Sequence, residues 1–427
     1  MKKEFLSLLA CPYCRGGMEI ARIVRGREDN IQDGVLRCQC RKYPIVNGIL
    51  FIIEPWRSLL LHAHFCKKMF KGIASRDFCS WLFLKSTAKI HRMSRVRAAL
   101  RGYRAQKKAK KELSFFSLSQ HFGLGAMHNV RHRFSTQTFW NIYAALPLLT
   151  DTRGYVLDFA SGLGHSAYVL SHFISPGKIV CVDSQPFYLY LARKYLAPDS
   201  EMVCSNDIVP LPFKKESFEK VIAMDCLHCI EHKNIVVNSF QEIVSAQGII
   251  LLLHLHNALG SNYSAGMPLS PREYRDMFPS PVWQIKMLPE EDVLKNFLQE
   301  GVLDLEKEYG AEEINRSNVV NMLISKSEKY FNKKYTHLRE NLLLPRTKWY
   351  INPIYKVKEE GENYLLELNF PTRKLKKENP LSLEYLPRTC RIPRKLLHSL
   401  DKMQAYPEEI KELIIKFVLL ALPERYI

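Results

Sequence analysis

The central third of the chain alternates short apolar runs with polar, glycine-bearing turns. "GYVLDFA" at 154–160, "KIVCVD" at 178–183, "KVIAMD" at 220–225 and "GIILLLHLHN" at 248–257 each read as a strand. "HSAYVLSHFI", directly after the first run, reads as a helix. Upstream, "RHRFSTQTFWNIYAALPLL" shows Ser/Thr capping signals followed by an amphipathic helical pattern. Downstream, "EEDVLKNFLQEG" predicts a helix closed by glycine, and "YINPIYKVKEEGENYLLELNF" two strands around a turn. That pair is either the last hairpin of the central sheet or part of an appended domain. "PEEIKELIIKFVLLAL" has the period of a closing helix. Strand and helix in alternation predict an α/β fold with an open sheet.

The loop between the first strand and its helix, "DFASGLGHSA", carries Gly162 and Gly164. Glycines there permit a tight turn and a close ligand, and a helix N-terminus offers unpaired N–H groups. The pattern Gly162-x-Gly164-x-x-Ala167 satisfies the dinucleotide fingerprint, and Asp183 ends the next strand where an acid binds ribose hydroxyls. NAD, FAD and S-adenosylmethionine all suit this geometry. Asp158, at the end of the first strand, separates them. An acid beside the loop suits the cationic amino-acid end of S-adenosylmethionine better than a pyrophosphate.

Further along, "CSNDIVPLPFKKESFEKVIAMDCLHCI" supplies an acid, then "LPF", then a strand entry, with Glu219 where aspartate is usual. With these residues, 155 to about 257 resembles a class I S-adenosylmethionine-dependent methyltransferase of the type 11 group. The resemblance implies a Rossmann-like seven-stranded sheet. It also implies that Asp158, Ala160, Gly162 and Gly164 line the methionine end, that Asp183 and Ser184 hold the ribose, and that Asp207 and Ile208 meet the adenine. Asp225 completes the cofactor-binding set. Ala160 departs from the family, which has glycine there, and weaker or shifted binding is the expected consequence.

Ligands in open α/β sheets bind beyond the carboxyl ends of the strands. The fourth strand runs into Asp225, His228 and His232, and the fifth ends with His254 and His256. Methyl transfer draws much of its acceleration from alignment, and a hydroxyl acceptor gains from a base of near-neutral pKa. His228 and His254 are the candidate catalytic bases; as plain structure, either simply packs at the sheet edge. His254 and His256, two residues apart, also suit a metal ion, but no third ligand has a matching spacing in sequence, so a catalytic metal is not expected. The long loop "LHLHNALGSNYSAGMPLSPREYRDMF" could close over an acceptor.

The cysteines change the picture at the N-terminus. Cys11 and Cys14 in "CPYC", with Cys38 and Cys40 in "CQC", form two close pairs in a segment too small for its own core. Such pairs suit one tetrahedral zinc ion. "MKKEFLSLLAC" imitates a lipoprotein signal, but its apolar stretch is shorter than the roughly 7 to 15 residues of a true signal core. The remaining cysteines are scattered, which favours a reducing, cytoplasmic setting over disulfides. "LLACPYC…LRCQCRKYPIVNGILFII", about residues 6 to 53, resembles the small zinc-ribbon family that includes the activator subunit of tRNA methyltransferases. That resemblance implies a structural zinc.

At 427 residues and 47% hydrophobic, the chain can bury a sizeable core. Its formal net charge of +19 is uneven: residues 51–150 hold eighteen Lys/Arg against three Asp/Glu. The run "RVRAALRGYRAQKKAKKE", within 85–112, either grips RNA phosphate or is a solvated helical linker. No apolar run reaches the roughly 18 residues of a membrane span. The organisation expected is a zinc ribbon at 1–55, a basic helical linker and cofactor-lid helix at 56–140, a methyltransferase core at 141–262, and a substrate loop with an α+β extension at 263–427. The expected function is S-adenosylmethionine-dependent methyl transfer to a small-molecule or biosynthetic-intermediate acceptor. An RNA methyltransferase and a non-catalytic cofactor-binding partner module are the alternatives.

Overall fold

The computed structural model describes residues 1–52, 113–121, 130–206, 209–261, 266–279, 281–345, 347–400 and 406–427. The basic run at 85–112, and with it the RNA-binding expectation, lies outside the described residues, as do Asp207 and Ile208.

Four strands open the chain: β1 (Glu19–Arg27), β2 (Asn30–Arg37), β3 (Lys42–Val46) and β4 (Ile49–Phe51). All are antiparallel neighbours. The β3–β4 connection is Asn47–Gly48 with φ of 52° and 76°, the left-handed pair that a tight hairpin requires. Next come helices α1 (Phe115–His121) and α2 (Gln137–Thr150), then β5 (Val156–Phe159), α3 (His165–Leu170), β6 (Ile179–Asp183), α4 (Pro186–Leu191), β7 (Glu201–Cys204), β8 (Phe218–Met224), α5 (Lys233–Ile243) and β9 (Val244–His256). They are followed by α6 (Pro271–Asp276), β10 (Gln284–Pro289), α7 (Glu290–Glu300), β11 (Leu303–Asp304), α8 (Ala311–Arg316) and β12 (Val319–Ser325).

The main sheet has eleven strands in the order β1-β2-β3-β4-β7-β6-β5-β8-β9-β12-β10. Strands β4 to β9 within it run parallel, and β12 reverses between β9 and β10. The last seven strands form the Rossmann-like methyltransferase sheet that the sequence leads one to expect. β5, β6 and β7 are buried along their whole length, as a strand covered on both faces must be. Two apolar layers cover those faces. One holds α2 and α3, with Trp140, Phe139 and Leu149; the other holds α5, with Val237 and Phe240, and the N-terminal Phe5 and Leu9.

The ribbon continues the sheet rather than hanging from it. β4 pairs in parallel with β7 through Ile49–Met202, Leu50–Val203 and Phe51–Cys204. Its cysteine end docks on the segment before β8 and on α5: the Ala10 N–H donates to the Pro212 carbonyl at 3.0 Å, and Arg15 reaches Glu242 of α5 at 2.9 Å. β1 is left at the sheet edge, where exposed arginines and repeated register shifts discourage further pairing.

The strands that complete the sheet, β10 and β12, lie at 284–325, beyond the segment 141–262 read as the core, and the hairpin around "EEGEN" follows the second of its two alternatives, outside the central sheet. It forms β15 (Tyr355–Glu360) and β16 (Asn363–Leu368), which join β17 (Thr389–Pro393) in a separate sheet. β10 and β12 are separated by α7, β11 and α8, so no local pattern marks them as the strands that complete the sheet beside β9. The closing helix also stops early. It spans Glu408–Ile415, and the apolar residues after Phe417, whose φ is 52°, form β18 (Leu419–Ala421) against β14 (Trp349–Ile351). Phe417 itself stacks on Trp140, ring centroids 4.4 Å apart, and so pins the C-terminal region to α2.

Candidate active site

Three residues of the β5–α3 loop adopt left-handed backbone: Ala160 (φ 51°), Gly162 (56°) and Gly164 (82°). A side-chain carbon at Gly162 would meet nothing within 4 Å, so this glycine is required by its backbone angle and leaves open space for a ligand. At Gly164 the same carbon would come within 2.8 Å of the Ala192 β-carbon, so this glycine serves packing. Asp183, at the end of β6, accepts from the Gly162 N–H at 2.8 Å and from the Gln185 N–H at 2.7 Å, tying loop to strand. Ser184 follows it, half-buried at the same strand end.

Asp158 is 2% exposed, and its Oδ2 has no hydrogen-bond partner. Burial, then the nearby Asp183, push its carboxyl up to about 8; burial raises Asp183 to about 6 despite the N–H groups that favour its charge. An orphaned, electrostatically costly carboxyl behind a left-handed loop fits a cationic ligand. The ammonium of a bound S-adenosylmethionine would supply that charge, and the lone pairs left on Asp183 would accept ribose hydroxyls.

A second group converges at the ends of β8 and β9. Asp225 and His254 both have φ of 56°, an uncommon angle for residues with side chains, and it turns each strand end toward a cavity of about 240 Å³. Asp225, His254, His256 and Glu290 line this cavity together with Arg133, Lys374 and Lys377. Its far wall, including Asn379 and Pro380, comes from the C-terminal region. That wall is anchored to α2 by the Asn379 carboxamide, which accepts from the Gln137 N–H at 3.1 Å.

Within the cavity His254 Nδ1 donates to Glu290 Oε2 at 2.6 Å, while Nε2 lies 3.8 Å from Asp225 Oδ1. Arg133 binds Asp225 Oδ2 at 3.0 Å. Glu290 is 3% exposed and also accepts from Asn141 at 2.8 Å; Asn141 accepts from Asn321 at 2.7 Å, and Asn321 accepts the His254 N–H at 2.9 Å. The ring of contacts is closed and fixes the imidazole. Burial pulls His254 down, but Glu290 and Asp225 outweigh it and hold the ring above its ordinary pKa. Burial lowers His228, and lowers His256 to about 4.

Of the sequence-derived bases, His254 thus faces the cavity, and His228 lies behind it, its ring stacked on His256 at 4.0 Å between centroids. Among the described residues, Asp225, His228 and His256 offer ligand atoms within 4.8 Å of one another, a set that leaves out His254 and draws on the ends of both β8 and β9, which spacing along one strand does not reveal. Glu290, Asn141, Asn321 and Arg133 were missed altogether. Glu290 opens a helix, where acids are common, and only its burial marks it.

Cys11, Cys14, Cys38 and Cys40 form one cluster. Sγ separations are 3.5 Å for Cys11–Cys40 and Cys38–Cys40 and 3.8 Å for Cys14–Cys38. Zinc–sulfur bonds of about 2.3 Å in a tetrahedron require about 3.8 Å between sulfurs, so the residues fit the ion. Tyr43 donates its hydroxyl toward Cys11 at 2.9 Å. Against burial, that contact and the N–H groups of Cys14 and Tyr13 bring the Cys11 thiol down to about 6.

Residues 156–248 match the family described as Methyltransferase domain. The chain therefore carries a methyltransferase domain and is an enzyme of the S-adenosylmethionine-dependent methyltransferase class. No curated protein sequence matches it. Among solved structures it is similar to the YcgJ protein of Bacillus subtilis, at 13% identity over 44% of this chain and 99% of that one, with a TM-score of 0.30. It is also similar to a methyltransferase of Thermotoga maritima described as a possible histamine N-methyltransferase, at 17% identity over 47% and 92% of the two chains, TM-score 0.32. A third is a chain from a complex containing the Trm112 methyltransferase activator of Haloferax volcanii, at 16% identity over 46% and 90%, TM-score 0.34. These overlaps are partial, and the fold assignment rests on the strand order described above. No helix among the described residues is long and apolar enough to cross a membrane.

Proposed function

We propose that the chain moves the methyl group of S-adenosylmethionine to an oxygen or nitrogen of a small-molecule or biosynthetic-intermediate acceptor seated in the cavity at the ends of β8 and β9. The observation that carries this reading is the buried, unpartnered carboxyl oxygen of Asp158 behind the left-handed loop, which calls for a cation at the cofactor's methionine end. Asp158, Ala160, Gly162 and Gly164 hold that end, and Asp183 with Ser184 holds the ribose. When bound, the cofactor supplies an electrophilic methyl on a sulfonium. The chain's own part is to orient the acceptor and accept its proton. His254 takes that proton in its neutral form, positioned by Glu290 and the Asn141–Asn321 pair. Arg133, Lys374 and Lys377 share the cavity with Asp225, Glu290 and Glu378, with Arg133 paired to Asp225 and Lys374 to Glu378, so its charge is nearly balanced and suits a polar acceptor. The four cysteines hold a structural zinc that has no open position for chemistry.

Calorimetry with S-adenosylmethionine and NAD tests the cofactor half. Saturable binding of the first alone, lost in Asp183→Ala, is the expected result; binding of NAD, or of neither, overturns it. For the acceptor half, His254→Gln keeps cofactor affinity and lowers the rate of S-adenosylhomocysteine release by about 100-fold or more. Glu290→Gln lowers kcat more than it raises KM and recovers more activity than Glu290→Ala. An unchanged rate in His254→Gln ends the base assignment.

A further inference from the structure

We infer that Asp225, His228 and His256 form a binding site for a divalent first-row transition-metal ion at the ends of β8 and β9, distinct from the cysteine cluster. One ligand atom from each lies within 4.8 Å of the others. Ligands about 2.0–2.2 Å from an ion stand about 3 to 3.5 Å apart, so binding requires the stacked His228 and His256 rings, now 23° from parallel, to rotate out of their stack.

Two imidazole nitrogens make the argument. His228 Nδ1 and His256 Nε2 are buried without a hydrogen-bond partner, and the residues are only 3% and 5% exposed. Each such atom is a desolvation cost to the fold if nothing ever binds it. At His254, by contrast, Nδ1 is satisfied by Glu290. Here two unsatisfied nitrogens occur in stacked rings beside a carboxylate, and an ion removes both costs at once.

The surroundings are built for the same purpose. The left-handed backbone at Asp225 and His254 bends both strand ends, and the β9–β12 register shifts between Val320 and Met322, beside that bend. Arg133 holds Asp225 by Oδ2. The Met267 N–H donates to the His228 carbonyl at 2.7 Å, and the Tyr274 hydroxyl donates to the His256 carbonyl at 3.2 Å. At Gly266 a side-chain carbon would come within 2.8 Å of the His228 carbonyl oxygen, so the loop presses on this ligand directly. These contacts fix the backbone that carries His228 and His256.

Two imidazoles and one carboxylate suit zinc, manganese, cobalt or iron and not magnesium or calcium. Three protein ligands leave coordination positions open. Asp225 and His256 line the acceptor cavity, so those positions are within reach of an acceptor's oxygen or nitrogen. An ion there would fix that atom and lower the pKa of its proton.

The test uses the full-length chain and metal ions alone. After chelation, reloading with zinc and desalting, wild type is expected to retain a second zinc ion beyond that of the ribbon. Asp225→Asn and His256→Asn retain only the ribbon's zinc, and Cys38→Ser retains only the second. With the ribbon kept zinc-loaded, a manganese(II) titration followed by electron paramagnetic resonance should saturate in wild type and weaken about tenfold or more in either strand-end variant. His228→Asn serves as the independent variant should one of these fail to fold, judged by its retained ribbon zinc and melting curve. One zinc in wild type with no manganese binding overturns the inference, as do folded variants that bind like wild type. Loss of S-adenosylmethionine binding would count against the methyltransferase reading without touching this one.

Discussion

Ala160 stands in left-handed backbone at the position where the family it resembles has glycine. A side chain in that conformation costs roughly 1–2 kcal/mol, against which alanine saves up to about 1 kcal/mol of unfolded-state freedom. Ala160→Gly is therefore expected to leave stability unchanged or raise it by about 1 kcal/mol in denaturant unfolding, and to tighten S-adenosylmethionine binding by calorimetry. Looser binding would mean that the methyl group itself shapes the pocket. Asp158 and Asp183 make a second claim at this scale. With Asp158 raised to about 8 and Asp183 to about 6, the native chain holds more protons than the unfolded one above the ordinary carboxyl range near 4. Their contribution is complete at low pH and is lost as pH rises through those values. Cys181 and Cys226, the thiols facing the pair, are both raised well above their usual value and stay neutral throughout. The ligand-free protein should melt at progressively lower temperature from pH 5 to pH 8, and Asp158→Asn should flatten most of that slope. A slope untouched by the substitution would place its origin elsewhere. The placement of Asp158, Gly162 and Asp183 together was legible in the sequence because it depends on a strand, a turn and the next strand, all local. Glu290 was not, because its partner His254 is thirty-six residues away on another element.

Between elements, the contact with most consequence is β4 against β7. The four cysteines of the ribbon were readable from spacing, but parallel pairing of Ile49–Phe51 with Glu201–Cys204 joins segments about 150 residues apart and leaves no periodic trace. The same holds for β10 and β12, whose place in the sheet depends on which strand β9 accepts. If the four cysteines hold zinc, the ion fixes the loops that present β4, and β7 depends on it for its outer neighbour. Cys38→Ser or chelation of the ion should lower the melting temperature and speed hydrogen exchange in peptides covering 201–204, while peptides covering β5 keep their protection. Equal exchange in β7 with and without zinc would show that β4 stays paired by its own packing, with Leu50 and Phe51 buried at 0% and 2% exposure.

At the scale of the molecule, charge decides between acceptors. The excess of Lys/Arg is concentrated in residues 51–150, while 151–300, which supply the glycine loop and the cavity's Asp225, His254, His256 and Glu290, carry more Asp/Glu than Lys/Arg. An RNA acceptor would have to engage the basic stretch, neutralising several phosphates, and six to ten such contacts lose about 10³–10⁵ in affinity between 50 and 200 mM salt. A small acceptor enclosed by Arg133, Lys374, Lys377, Asp225 and Glu290 meets charges at close range, where salt screens little. Its KM should change only a few-fold over the same range, and substitution of the basic run at 104–111 should leave kcat/KM unaltered. The discriminating experiment is that salt series, run on wild type and on the variant with those lysines and arginines replaced by glutamine. A shallow dependence in both favours the enclosed small acceptor. A steep dependence that the replacements make shallow would transfer the acceptor to RNA, and would give the basic run the work of holding it while the histidine and acid groups at the ends of β8 and β9 act on a single nucleotide.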